Sequence, residues 1–327
     1  MRVARVELPT LLRSAACYPD VRRVPSCPCR TWTRPVQRSS LFGATSSLQS
    51  CIVGRIAKVR RNTWKRRSTC WAFEAARNHW RQQPAAVQVA AARRIVFAND
   101  EFAHLGQVAL GIGNNSDANS SGVGLGATSV EISRNRFSDL AGGAIMVGGI
   151  TPAAHHPPRP EMGVRDILIR NNVIENVSQN YREQAAVLVT YATAAVIMNN
   201  DISAASYDGI DVGWGWGTND PGGTAAYRTT DRGYYDQPGN LTYDTPTILR
   251  DSVVFANRVH DVKRWFPDGG AIYHLSADPG ALIAENYVYD VPGGIGLYLD
   301  EGSRYVTLRS NVIANVGVWL NLIRLHR

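Results

Sequence analysis

Two absences organise this sequence. There is no cysteine beyond Cys70, and there is no excess of positive charge beyond residue 83. All five cysteines (Cys17, Cys27, Cys29, Cys51, Cys70) fall in the first quarter of the 327-residue chain, odd in number and irregular in spacing. The rest of the protein therefore does not depend on disulfides. Cys27-Pro-Cys29, with no paired histidine motif, lacks the spacing of a zinc site. The net charge of +8 would suggest a polyanion partner, but 17 of the 35 basic residues and only three acids lie in residues 1–83. The remainder carries 18 basic against 24 acidic residues and is mildly acidic. A nucleic-acid-binding reading of the whole molecule is thereby disfavoured. No run approaches the roughly 18 consecutive apolar residues of a membrane span, and no cofactor or metal is expected.

Residues 1–61 also lack any sustained helical or strand period. They contain no apolar core of the roughly 7–15 residues that a secretory signal needs. This basic leader reads either as an organellar transit peptide or, in the preferred reading, as a mispredicted start giving a disordered segment. Residues 62–327 are expected to form the folded body, with repeats cut off at both ends.

What that body contains is a repeat: Asn, a variable residue, an apolar residue, a variable residue, a small or polar residue, then an apolar one. It occurs at Asn135–Leu140, Asn172–Val177, Asn200–Ala205, Asn257–Val262, Asn286–Val291 and Asn311–Val316, with a looser copy, one residue longer, from Asn99. The leading asparagines are 36, 37, 28, 57, 29 and 25 residues apart, the longer intervals holding evident insertions. A short apolar strand precedes each Asn and a glycine-led strand follows most copies. Units this small cannot bury their own apolar side chains, so they must stack on one another. The expected fold is all-β, a right-handed parallel β-helix, with strands stacked at about 4.8 Å. Asparagines at one fixed place per unit can form a side-chain amide ladder.

Strand alternation sorts inward from outward side chains. In Gly294–Asp300, Ile295, Leu297 and Leu299 point in, leaving Tyr298 and Asp300 out. Aligning Gly270 with Gly294 sends Tyr273 and Leu275 in and His274 out. Aligning Gly209 likewise sends Trp214 in and Asp211 out. One outer face is thus expected to carry Asp211, His274, Tyr298 and Asp300, a combination of carboxylates, imidazole and aromatic ring suited to sugars. Trp216 serves equally as a sugar platform or as packing, and Asp300-Glu301-Gly302-Ser303 also has the composition of an ordinary acidic turn.

The segments Gly209–Gly217, Asp268–Tyr273 and Tyr298–Ser303, in this order, resemble glycoside hydrolase family 141. The resemblance covers about residues 62–317 and implies a secreted β-helix enzyme acting on plant cell-wall polysaccharide, of fucosidase or xylanase type. It carries two catalytic carboxylates onto Asp268 and Asp300, with Asp211, Trp216, His274, Tyr298 and Glu301 as substrate-binding candidates. On one straight strand the eight-residue offset between Asp268 and Asp300 would separate them by roughly 26 Å at about 3.3 Å per residue. Catalytic pairs lie about 5–10 Å apart, so either the chain bends sharply at Gly269-Gly270 or the pair is wrong and His274 or Glu301 is the better companion of Asp300. Two rivals remain: a polysaccharide lyase, which needs a basic residue that the outward positions lack, and a non-catalytic glycan-binding protein, which needs no acid pair.

Overall fold

The computed structural model describes residues 85–113, 126–222 and 243–323. All of these lie in the compact unit Ile56–Arg327. The leader expected at residues 1–61 and the five cysteines lie outside the described residues.

The local chemistry of the repeat dictates its strands. In every copy but the last the third position is apolar and buried: Phe102, Phe137, Ile174, Ile202, Val259 and Val288, whereas Ile313 is only half-buried. These sit in the middle of three-residue strands that pair in parallel and in register, Phe102 with Phe137, Ile174 with Ile202, Val259 with Val288. The Phe102 and Phe137 rings stack at 4.9 Å. The fifth position reverses the chain: His104, Asp139, Asn176, Ala204, Asp261, Asp290 and Asn315 all have positive φ. Asp and Asn tolerate this left-handed conformation better than other non-glycine residues, which explains their frequency there.

Among the described residues these short strands form two sheets, of thirteen and seven strands. The larger contains two rows. Val87–Val89, Leu110–Ile112, Ile145–Val147, Val187–Val189, Ile210–Val212 and Ile272–His274 stack in one. Glu101–Ala103, Arg136–Ser138, Val173–Glu175, Asp201–Ser203 and Arg258–His260 stack in the other. Both rows run into the 13-residue strand Tyr287–Leu299, whose first residues pair with Arg258–His260 and whose last pair with Ile272–His274, and Val312–Leu322 pairs along its other side. The smaller sheet runs from Ala92–Ala98 to Arg304–Arg309.

The expectation of a right-handed parallel β-helix is corrected by this arrangement. The protein is all-β and its strands are parallel, but they belong to two sheets, and the larger curls back through Tyr287–Leu299 as a half-barrel. The reason is that a sequence period of this kind specifies only that repeats stack in parallel. It does not specify a hand, or that a corner separates every pair of strands. Between Asp290 and Ile295 the strand Tyr287–Leu299 carries on past the turn at Asp290, with an irregularity in its pairing between Val291 and Ile295.

The asparagine ladder is the fold's internal brace. Asn257 Oδ1 accepts from the backbone N–H and the side-chain amide of Asn200, both at 3.0 Å. Its own Nδ2 donates to Asn286 Oδ1 at 3.0 Å and to the Ile197 carbonyl at 2.9 Å. The same pattern joins Asn135 to Asn172, Asn172 to Asn200, and Asn286 to Asn311. In the first copy the ladder position is Asp100, whose N–H donates to Asn135 Oδ1 at 2.9 Å. Asn99 lies one residue outside it and accepts from the Arg134 Nε–H instead. Starting that copy at Asp100 removes its apparent extra residue.

Asn257→Ala deletes a buried amide and strands its neighbours' donors, each costing about 1–3 kcal/mol when unsatisfied. The variant is expected to lose about 3 kcal/mol or more in denaturant unfolding, whereas Asn99→Ala, which loses one exposed hydrogen bond and places Ala at a positive φ, loses only about 1 kcal/mol. Equal losses for the two would contradict the ladder's role.

Candidate functional site

The site grows out of the row that contains Ile210–Val212, Ile272–His274 and the end of Tyr287–Leu299. Its register pairs Asp211 with Tyr273 and Tyr273 with Tyr298. The alignment of Gly270 with Gly294 is therefore wrong by one residue, and a one-residue slip exchanges the two faces of a strand. Tyr273, expected inside, stands in the column of Asp211 and Tyr298. His274, expected beside Asp300 on the outer face, aligns with Val212 and Leu299 and is buried. Its Nδ1 lies 3.0 Å from Ser303 Oγ and its Nε2 3.4 Å from the buried Asp278. It braces the turn below Asp300 from within.

Asp300 follows immediately after the strand, its N–H donating to the His274 carbonyl at 2.9 Å. The Tyr273 hydroxyl donates to Asp300 Oδ2 at 2.5 Å, and the Tyr298 hydroxyl bonds the same carboxylate. The two rings meet edge to face at 5.2 Å. Burial first, and then the Asp300 charge, holds both phenols well above their ordinary pKa, so they remain donors. Asp300 is thus gripped by two O–H groups on rigid strand positions.

A second acid pair stands beside it. Asp208 is fully buried and forms an ion pair with Lys263 Nζ at 2.7 Å, both side chains being removed from solvent. The Gly270 N–H also donates to Asp208, at 3.2 Å. Asp211 shares a hydrogen bond with Asp208. Two adjacent buried carboxyls cannot both ionise cheaply. Burial, and after it the Asp208 charge, pushes Asp211 well above the carboxylate range, so Asp211 holds the proton that the pair shares.

Asp268 reaches the same place by a bend. Lys263 Nζ also donates to the Asp268 carbonyl, and Gly269 has φ +86°. A side chain at Gly269 would collide with the Asp208 carboxylate and the Tyr207 hydroxyl. Only glycine lets the chain turn there. Burial first, and then the neighbouring carboxyls of Asp208, Asp211, Asp268 and Asp300, hold the Tyr207 phenol well above its ordinary pKa. Tyr298 likewise feels both Asp300 and Asp268. A bend of the kind the eight-residue offset demands is present at Gly269, and it leaves Asp268 within electrostatic reach of Tyr207 and Tyr298.

The floor and rim come from the glycine-rich segment after Val212. Trp214 and Trp216 meet edge on at 5.4 Å. Trp216 is half-buried against Tyr273, Leu275 and Tyr298. The Trp214 carbonyl accepts from the Tyr191 and Ser276 hydroxyls at 2.7 and 2.6 Å. Gly302, in the turn that contains Glu301, lies so close to Gly217 that a Cβ would come within 2.6 Å of its backbone. Glu301 is half-buried in that turn, its carbonyl accepting from the Ser276 N–H at 3.4 Å.

Sequence reasoning missed Tyr207, Asp208, Lys263 and Tyr273. Two signals were present. Asp208-Gly209 echoes Asp268-Gly269, and Lys263 is the only lysine after residue 65. A compact ammonium fits between a carboxylate and a carbonyl, where the guanidinium used elsewhere would not.

With the geometry in place, comparison with known proteins gives one likeness of fold. A solved structure of a glycoside hydrolase is similar with a TM-score of 0.53 and 24% identity, covering 74% of this chain. The chain spans 38% of that structure's length. No family model matches the chain, and no curated protein does.

Asp211 binds its proton more tightly in the folded protein than in the unfolded chain. From about pH 4, the ordinary carboxylate value, up to the raised folded value, the folded state holds the extra proton and stability falls as pH rises. Asp211→Asn removes that titration. Thermal midpoints of the variant are expected to rise relative to the parent as pH increases from about 4. Parallel curves would show that Asp211 ionises normally.

Proposed function

We propose that the protein is a glycoside hydrolase acting on neutral plant cell-wall polysaccharide, with Asp300 and Asp268 as its catalytic carboxylates. The observation that carries this reading is the setting of Asp300: a carboxylate held by tyrosine hydroxyls, beside a buried acid pair whose lysine partner also ties back the glycine bend that bears the exposed Asp268. One carboxyl protonates the departing glycosidic oxygen, while the other attacks the anomeric carbon or activates water. Tyr298, Asp211, Trp216 and Glu301 are then the groups nearest the sugar. A wall polysaccharide as substrate would also place the working protein outside the cell.

Electrostatics narrows the substrate class. Of the four carboxyls, one is paired with Lys263 and one keeps its proton. The remaining acids, Asp268 and Asp300, of which one is the nucleophile or base, disfavour uronic acids and hydrogen-bond the hydroxyls of neutral sugars. The same feature disfavours a polysaccharide lyase, because Lys263 is enclosed by its partners and is not placed to abstract a proton.

The test is release of reducing sugar from fucosylated xyloglucan and xylan, with pectin as the acidic comparison. Asp300→Asn and Asp268→Asn are each expected to lower turnover by about a thousandfold or more. Tyr273→Phe, which removes one of two donors to Asp300, should cost about tenfold. Unchanged turnover in Asp300→Asn would remove it from the mechanism. Absence of turnover in the parent, with binding retained, would favour a glycan-binding protein.

A further inference from the structure

The segment that delivers Asp268 also carries two large aromatic side chains into solvent. Trp265 is 58% exposed and Phe266 41% exposed. Such exposure is costly for residues whose burial would be worth about 2–3 kcal/mol each, and neither side chain is loosely held. The Lys263 N–H donates to the Tyr207 carbonyl at 2.8 Å and the Trp265 N–H to the Ser206 carbonyl at 3.0 Å. Lys263 Nζ ties the far end of the segment to Asp208. The backbone under both rings is therefore fixed to the same Ser206–Asp208 stretch that bears the acid cluster.

The rings themselves are oriented. The Arg182 guanidinium lies over the Trp265 ring, 3.5 Å from its centroid, a cation–π arrangement that holds the indole in one plane. With one face covered by Arg182, the 58% exposure falls on the opposite face and edges. Phe266 packs edge-on against Tyr207 at 6.0 Å, and Tyr207 is the residue that senses all four carboxylates. A flat apolar surface, rigidly backed, thus begins next to the acid cluster and leads away from it.

We propose that the exposed face of Trp265, backed by Arg182 and flanked by Phe266, is the stacking platform for a sugar unit next to the one held at Asp300. The ligand class is therefore a neutral oligosaccharide or polysaccharide chain, not a single sugar. The apolar C–H face of a pyranose fits an indole, while its equatorial hydroxyls remain in water. This inference rests on the glycosidase reading for the identity of the neighbouring site, and the experiment separates the two.

Calorimetric titration of Asp300→Asn protein, which holds its ligand uncleaved, would compare monosaccharides with di-, tri- and tetrasaccharides derived from xylan and from xyloglucan. Adding Trp265→Ala should leave monosaccharide binding unchanged and weaken binding of the longer ligands about tenfold. Trp265→Tyr should recover most of the loss, and Arg182→Met should give an intermediate one. Equal effects on short and long ligands, no effect on either, or no saturable binding of any ligand would overturn the platform. Length-dependent loss in a protein whose parent shows no turnover would keep the platform and discard the hydrolase. Turnover that depends on Asp300, without length dependence at Trp265, would do the reverse.

Discussion

Every tier of this fold turns a corner in the interior, and a buried backbone N–H at a corner has no strand neighbour to accept from it. An unsatisfied donor there would cost about 1–3 kcal/mol in each tier. A single side-chain amide removes the deficit, because Asn carries an acceptor for the N–H of the tier on one side and donors for its other neighbours. From Asn135 to Asn311 the solution repeats without a gap. The strands, the apolar third position and the left-handed fifth position are arranged around that bond. The site inherits its precision from the same stacking, since Asp211, Tyr273 and Tyr298 come into one column only because successive tiers are in register.

The ladder was legible because it has a chemical signature that tolerates little substitution. The positions of the short strands and the buried apolar residues followed from it. The hand and the partition into sheets were not legible, because period alone does not encode them. Nor was the register of the glycine-led strands. Gly209, Gly270 and Gly294 look equivalent in sequence, yet Ile210 pairs with Ile272 and Ile272 with Leu297. Glycines carry no side chain to declare which face they belong to, and an error of one residue moved His274 out and Tyr273 in. Asp208 and Lys263 escaped notice for another reason. A buried ion pair formed between residues 55 apart leaves no local pattern.

The cluster shows how three aspartates, Asp208, Asp211 and Asp300, can be buried close together. Lys263 neutralises one, the proton on Asp211 neutralises a second, and Tyr273 and Tyr298 hold Asp300 by neutral donors. Each is a different answer to the same desolvation cost. Lys263 serves twice, as counter-charge to Asp208 and as the tie that folds Asp268 back toward the others. Electrostatic balance and the shape of the Lys263–Asp268 segment are therefore one feature, not two.

The long strand Tyr287–Leu299 pairs with both rows of the larger sheet. In a linear array of repeats, each unit contacts only its neighbours, and opening can spread from one unit to the next. A strand common to two rows breaks that independence, since it cannot detach from one row without loosening the other. Tyr298 lies on this strand and Asp300 immediately follows it. The carboxylate at the centre of the site thus sits where local unfolding is most strongly coupled to unfolding of the whole sheet. Breathing motions that fray an ordinary repeat protein end by end are thereby damped around Asp300.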